Sequence, residues 1–126
     1  MHIEEYDYLS GVHLGPADQL TFGTVIAGQH SPHPVLFRIA SETPLDLHNL
    51  QLFLTSKDGW SDAEFGCYTN PVFTRIESGD PRLSHFSGSG VSIGWDSGIS
   101  DYIWIDAEVP TSQGVAQVAF RLTYDE

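Results

Sequence analysis

Cysteine, basic residues and long apolar runs are what this sequence of 126 residues has least of. Its one cysteine, Cys67, has no second thiol to pair with, so no internal disulfide staples the fold, and synthesis in a reducing cytoplasm is the natural setting. Lysine and arginine together number five (Arg38, Lys57, Arg75, Arg82 and Arg121) against 17 aspartates and glutamates, a net charge of -12. Nucleic-acid binding draws on a cationic stripe that displaces counterions, and even the nearest basic pair, Arg75 and Arg82, lies seven positions apart. The charge therefore argues against DNA and RNA partners, and against anionic membrane surfaces on the same ground. No apolar run is long enough to cross a bilayer. The opening Met1-His2-Ile3-Glu4-Glu5-Tyr6-Asp7 has neither the basic nor the apolar stretch of a secretory signal.

Helical periodicity is also scarce. Short alternating segments recur instead, separated by clusters of Gly, Pro, Ser and Asp, and this is the pattern of an all-β antiparallel sandwich. Leu20–Val25 and Val35–Ala40 read as strands, the second with Val35, Phe37 and Ile39 inward and Arg38 toward water. Leu50–Thr55 follows, with a turn at Lys57-Asp58-Gly59. Ser61–Asn70 reads as polar and mixed, and Pro71–Glu77 as an edge strand opened by its proline. Val91–Trp95, Asp101–Val109 and a last strand carrying Ala116, Val118, Phe120, Leu122 and Tyr124 on one face complete about seven strands. Along Asp101–Val109, Ile103, Ile105 and Ala107 alternate with Tyr102, Trp104 and Asp106, and Val109–Gly114 joins this strand to the last. A single domain over 1–126 is expected, with residues 1–15 either an arm onto a neighbour or an extra strand.

Two blocks, Leu20–Gly28 with Val35–Ala40 and Gly98–Tyr124, resemble the short immunoglobulin-like β-sandwich domains of tailed-bacteriophage virion proteins and some bacterial surface proteins. In the first block the likeness lies in Phe22-Gly23-Thr24-Val25, a glycine turn and a second core strand; in the second it lies in Ile103-Trp104-Ile105, Val109-Pro110, Gly114 and the alternating last strand. Together they cover about half the chain. The sequence departs from the family pattern in having Ser41-Glu42-Thr43 where an Asn is usual, and it lacks the Cys–Trp–Cys arrangement of antibody domains. The resemblance implies a non-enzymatic structural protein of the virion, assembled in the host cytoplasm. Head decoration on the capsid lattice is the first expectation; a tail or baseplate adaptor, or a carbohydrate-binding host-adhesion module, is the alternative.

Candidate chemistry is sparse, and no catalytic residue, cofactor or metal ligand is assigned from sequence. Asp96-Ser97-Gly98 matches the string around a serine-protease nucleophile, but ordinary turn chemistry accounts for it without a triad or oxyanion hole. His30-Ser31-Pro32-His33 sets two imidazoles three apart in a proline-bent loop, with His2, His13, His48 and His85 scattered elsewhere and no further ligand nearby in sequence. Asp58, Asp62 and Glu64, or Asp96 and Asp101, offer oxygens for calcium without the spacing of a dedicated loop. Asp106 and Glu108 fall two apart on one strand face, where a solvated or interface-facing strand is the simpler account. Partner binding is assigned to the aromatics Trp60, Trp95, Tyr68, Tyr102, Tyr6 and Tyr8, since such side chains anchor interfaces and stack on sugars. Trp104 reads as core.

Overall fold

A computed structural model of the chain describes residues 1–18, 20–56, 60–108 and 114–126, and their side chains except those of Ser56 and residues 114–118. Twelve strands appear in chain order: β1 (His2–Tyr6), β2 (His13–Ala17), β3 (Leu20–Val25), β4 (Val35–Ala40), β5 (His48–Ser56), β6 (Phe65–Asn70), β7 (Ser84–His85), β8 (Val91–Ser92), β9 (Trp95–Asp96), β10 (Ile99–Ser100), β11 (Tyr102–Ala107) and β12 (Gly114–Asp125). One 3-10 turn, Asp62–Glu64, precedes β6, and there is no α-helix among the described residues. Every strand pairing is antiparallel.

The larger sheet runs β2-β1-β4-β11-β6-β7, with β10 beside the end of β4 and β9 paired to β10; the smaller runs β3-β12-β5-β8. Each sheet must bury its apolar face, and the two do so against each other. Phe37, Ile39, Phe65, Ile103 and Ile105 come from the larger sheet and meet Phe22, Leu50, Leu52 and Leu54 from the smaller. Rings cross the gap in two places, Phe22 on Phe65 with centroids 5.6 Å apart and Phe37 on Phe120 at 5.1 Å. Burying one such side chain contributes about 1.5–3 kcal/mol, so this contiguous layer is the main source of stability. Cys67 sits in it as a buried free thiol, pushed up to about 12 by burial and secondarily by the charge of Asp106.

The all-β antiparallel sandwich is thus the architecture, and β3 and β4 coincide with the expected strands. Several expectations are corrected, beginning with the strand count, about seven expected against twelve among the described residues. Pro71–Glu77 is not an edge strand; the strand is β6, in the stretch that reads as polar and mixed. Within β6, Phe65 and Cys67 supply the inward apolar residues, and Gly66 between them disguises the alternation.

Residues 71–83 instead cross the outer face of the larger sheet, where Ile76 and Leu83 bury themselves against Leu36 and Trp104. Consequently β11 is covered on both faces, and Arg38, expected in water, is half-buried, donating from Nε to Ser100 O at 2.8 Å and lying 4.3 Å over the Tyr102 ring. Residues 1–15 hold β1, a turn and the start of β2 rather than a detached arm, β1 pairing with both β2 and β4. Asp96-Ser97-Gly98 is the tight turn of the β9–β10 hairpin, with φ of 47° at Ser97 and 96° at Gly98, the left-handed pair such turns require. The expected turn at Lys57-Asp58-Gly59 and most of the connection Val109–Gly114 lie outside the described residues.

Candidate functional site

Asp106 on β11, Gly66 on β6 and His85 on β7 stand in one lateral row, Asp106 opposite Gly66 and Gly66 opposite His85. Residues in register share a face, so these three point outward together, and Glu108, two residues beyond Asp106, joins them. Gly66 makes the row a notch. A Cβ there would lie 2.6 Å from Glu108 Oε2 and 2.7 Å from Asp106 Oδ1, so any larger residue would occupy the space between the carboxylates.

Two loops close the notch. The β3–β4 loop is pinned to β11 by Ser31 N donating to Ala107 O at 2.9 Å and Ala107 N donating to Ser31 Oγ at 3.2 Å. This brings His30 over the row, with Nδ1 3.4 Å from Asp106 Oδ2. From the segment after Ile76, Ser78 Oγ lies 3.2 Å from Ser31 Oγ, and the Gly79 amide donates to Asp106 Oδ2 at 2.8 Å. His85 stands at the rim, Nε2 2.8 Å from Glu108 Oε2, at ion-pair distance without the alignment of a hydrogen bond.

The electrostatics are unusual for a strand face. Asp106 is fully buried and Glu108 is largely so. Burial raises the Asp106 carboxyl above its ordinary value, opposed by the Gly79 amide and His30. Burial also raises Glu108, and the neighbouring Asp106 charge raises it further, opposed by His85 and His30. Among the described residues four buried side-chain polar atoms have no hydrogen-bond partner: His30 Nδ1, Asp106 Oδ1, Glu108 Oε2 and Trp104 Nε1. Three of the four belong to this notch. One donor atom from each of His30, Asp106 and Glu108 falls within 4.8 Å of the other two, an arrangement able to hold a cation.

The solvated-face account of Asp106 is therefore overturned, because residues 71–83 and the β3–β4 loop roof that end of the strand. His30 does not act with His33: the latter's Nδ1 meets Pro34 O at 3.0 Å and its ring stacks on Tyr8. The sequence offered the Asp106–Glu108 spacing and a scatter of histidines; His85 is brought to the row by strand register and His30 by the β3–β4 loop that Ser31 pins to β11.

The aromatic residues expected at a partner surface divide. Trp60 packs in the core against Phe65, and Trp95 is half-buried with its indole N–H donating to Leu45 O at 2.8 Å. Tyr6, Tyr68 and Tyr102 gather with Phe73 around fully buried Trp104 on the outer face of the larger sheet, and Tyr8 borders the same cluster. Next to it the β1–β2 hairpin presents Leu9, Val12 and Leu14, which are 46%, 59% and 61% exposed. Its tip is held by Asp7: the backbone amides of Leu9 and Gly11 and the Ser10 hydroxyl all donate to it. A shallow groove lined by Tyr6, Tyr8, Leu14, His33 and Leu36 runs beside it. Comparison with known proteins finds no matching family model, curated protein or solved structure.

Proposed function

We propose that this protein is a non-enzymatic structural module of a bacteriophage particle, an immunoglobulin-like domain that decorates the head by binding the capsid lattice through its N-terminal hairpin. The observation that carries this is the row of exposed apolar residues Leu9, Val12 and Leu14 on a hairpin held rigid by Asp7 at the edge of the larger sheet. Apolar side chains clustered on a rigid edge are what an interface buries, and the net charge of -12 keeps unattached copies apart in solution. Pro16 on β2 lacks an amide donor, so attachment uses the side chains of the hairpin more than extension of the ladder. Trp60 and Trp104 are buried, which leaves half-buried Trp95 as the one tryptophan with ring surface open to a sugar.

The test is cosedimentation of the purified protein with phage heads and tails that lack it. Saturable binding to heads at a fixed stoichiometry, lost in a Val12→Asp/Leu14→Asp variant that still melts cooperatively, is the expected result. Binding to tails alone would move the protein to an adaptor role, and binding to neither would overturn the virion reading.

A further inference from the structure

We infer that His30, Asp106 and Glu108 form a binding site for a first-row divalent transition-metal ion of the zinc type, with His85 at its rim.

Three features carry this beyond a cluster of charges. First, Asp106 is fully buried, its Oδ1 has no hydrogen-bond partner, and it looks into the same notch as Glu108 Oε2 and His30 Nδ1, which make ion-pair contacts but no aligned hydrogen bond. Leaving one buried polar atom unsatisfied costs about 1–3 kcal/mol, and such an atom in a native fold calls for an explanation, a bound ion being one of them. Second, the spacing is close to what an ion needs. Tetrahedral zinc with bonds of about 2.0–2.2 Å sets its ligand atoms roughly 3.3–3.6 Å apart. His30 Nδ1 already stands 3.4 Å from one oxygen of the Asp106 carboxylate, the Oδ2 that Gly79 also bonds, and one donor atom from each of the three residues lies within 4.8 Å of the other two. Third, Gly66 leaves room between the two carboxylates where any side chain would fill it.

The donor set selects the class of ion. Calcium and magnesium prefer all-oxygen shells, whereas an imidazole nitrogen with two carboxylates suits zinc and its first-row neighbours. Three protein ligands leave a fourth position for water or for His85, which already reaches Glu108 from the exposed rim. The Gly79 amide on Asp106 Oδ2 is the kind of outer hydrogen bond that orients a ligating carboxylate. An ion here would tie together the β3–β4 loop, the end of β11 and the segment after Ile76, three pieces of chain otherwise joined by a few hydroxyl and amide contacts.

The test is calorimetric titration of tag-free, chelator-treated protein with zinc chloride, repeated with manganese and calcium, and with thermal melts on the same samples. Stoichiometric zinc binding that raises the melting temperature is expected, with calcium much weaker. His30→Ala and Glu108→Gln, both at partly exposed positions, should each weaken zinc by more than the roughly tenfold that loss of an outer partner costs. His33→Ala and His13→Ala should leave it unchanged. Absence of zinc and manganese binding would assign the notch to a histidine–carboxylate charge network and overturn the site. Zinc binding that survives His30→Ala and Glu108→Gln, or is lost in His33→Ala or His13→Ala, would overturn it equally by placing the metal elsewhere.

Discussion

Tyr102, Trp104, Asp106 and Glu108 follow one another along one face of β11 and its continuation, yet the two ends of that face are opposite in character. At the first end Trp104 is enclosed by Tyr68, Tyr102 and Phe73, with ring centroids 5.5–6.3 Å apart, and one polar atom, its indole N–H, is left without a partner. At the other end two carboxylates are drawn largely out of water beneath a partly exposed imidazole, and Asp106 Oδ1, Glu108 Oε2 and His30 Nδ1 make no aligned hydrogen bond. The aromatic end is a second small core, complete in itself. The acidic end sets buried charge against stability, which is what motivates the ion site proposed there.

The largest effect should come from breaking the aromatic end. Trp104→Ala removes a fully buried indole from its cluster and is expected to cost about 3–5 kcal/mol of unfolding free energy, read from denaturant melts. At the acidic end Gly66→Ala drives a methyl into the carboxylates and should cost about 1–3 kcal/mol, while also abolishing zinc binding in the titration described above. Asp106→Asn sharpens the contrast by reversing its sign. The amide keeps an acceptor for Gly79 and offers a donor toward Glu108, so metal-free stability should rise by on the order of 1 kcal/mol while any gain from zinc disappears. A Trp104→Phe control, nearly neutral toward zinc, keeps the two ends separable.

The smallest effect concerns exposed charge on the β1–β2 hairpin. Hydrogen bonds from His13 and His2 hold the Glu4 carboxyl below its ordinary value of 4.5. Because the folded value lies below the unfolded one, the stabilisation is complete above the unfolded value and is lost as pH falls through the folded one. Glu4→Gln should flatten the acid limb of the melting profile below about pH 4.5 and change little at neutral pH. An unchanged acid limb would show that these contacts contribute nothing to folding.

How much was legible in advance follows the period of the signal. In β4 and β5 the inward residues Val35, Phe37 and Ile39, and Leu50, Leu52 and Leu54, recur with period two and were readable from the alternation, although Leu36 on the opposite face of β4 is buried as well. In β6 the alternation was hidden by Gly66, whose lack of a side chain is what the notch requires. Pro71–Glu77 carries a strand-like alternation, but an alternating pattern records only which residues are buried. It does not distinguish pairing in a ladder from lying across a sheet as a cover.

By itself, the sequence determined the all-β class, the antiparallel sandwich, the absence of disulfide staples and the acidic surface, because these depend on composition and on neighbours two residues apart. The tertiary structure alone decided that β11 is buried on both faces, that His30 meets Asp106 and not His33, and that Trp60 is core while Leu9, Val12 and Leu14 are exposed. Each of those outcomes depends on strand register and on which loop roofs which face, contacts between residues tens of positions apart that no local pattern encodes.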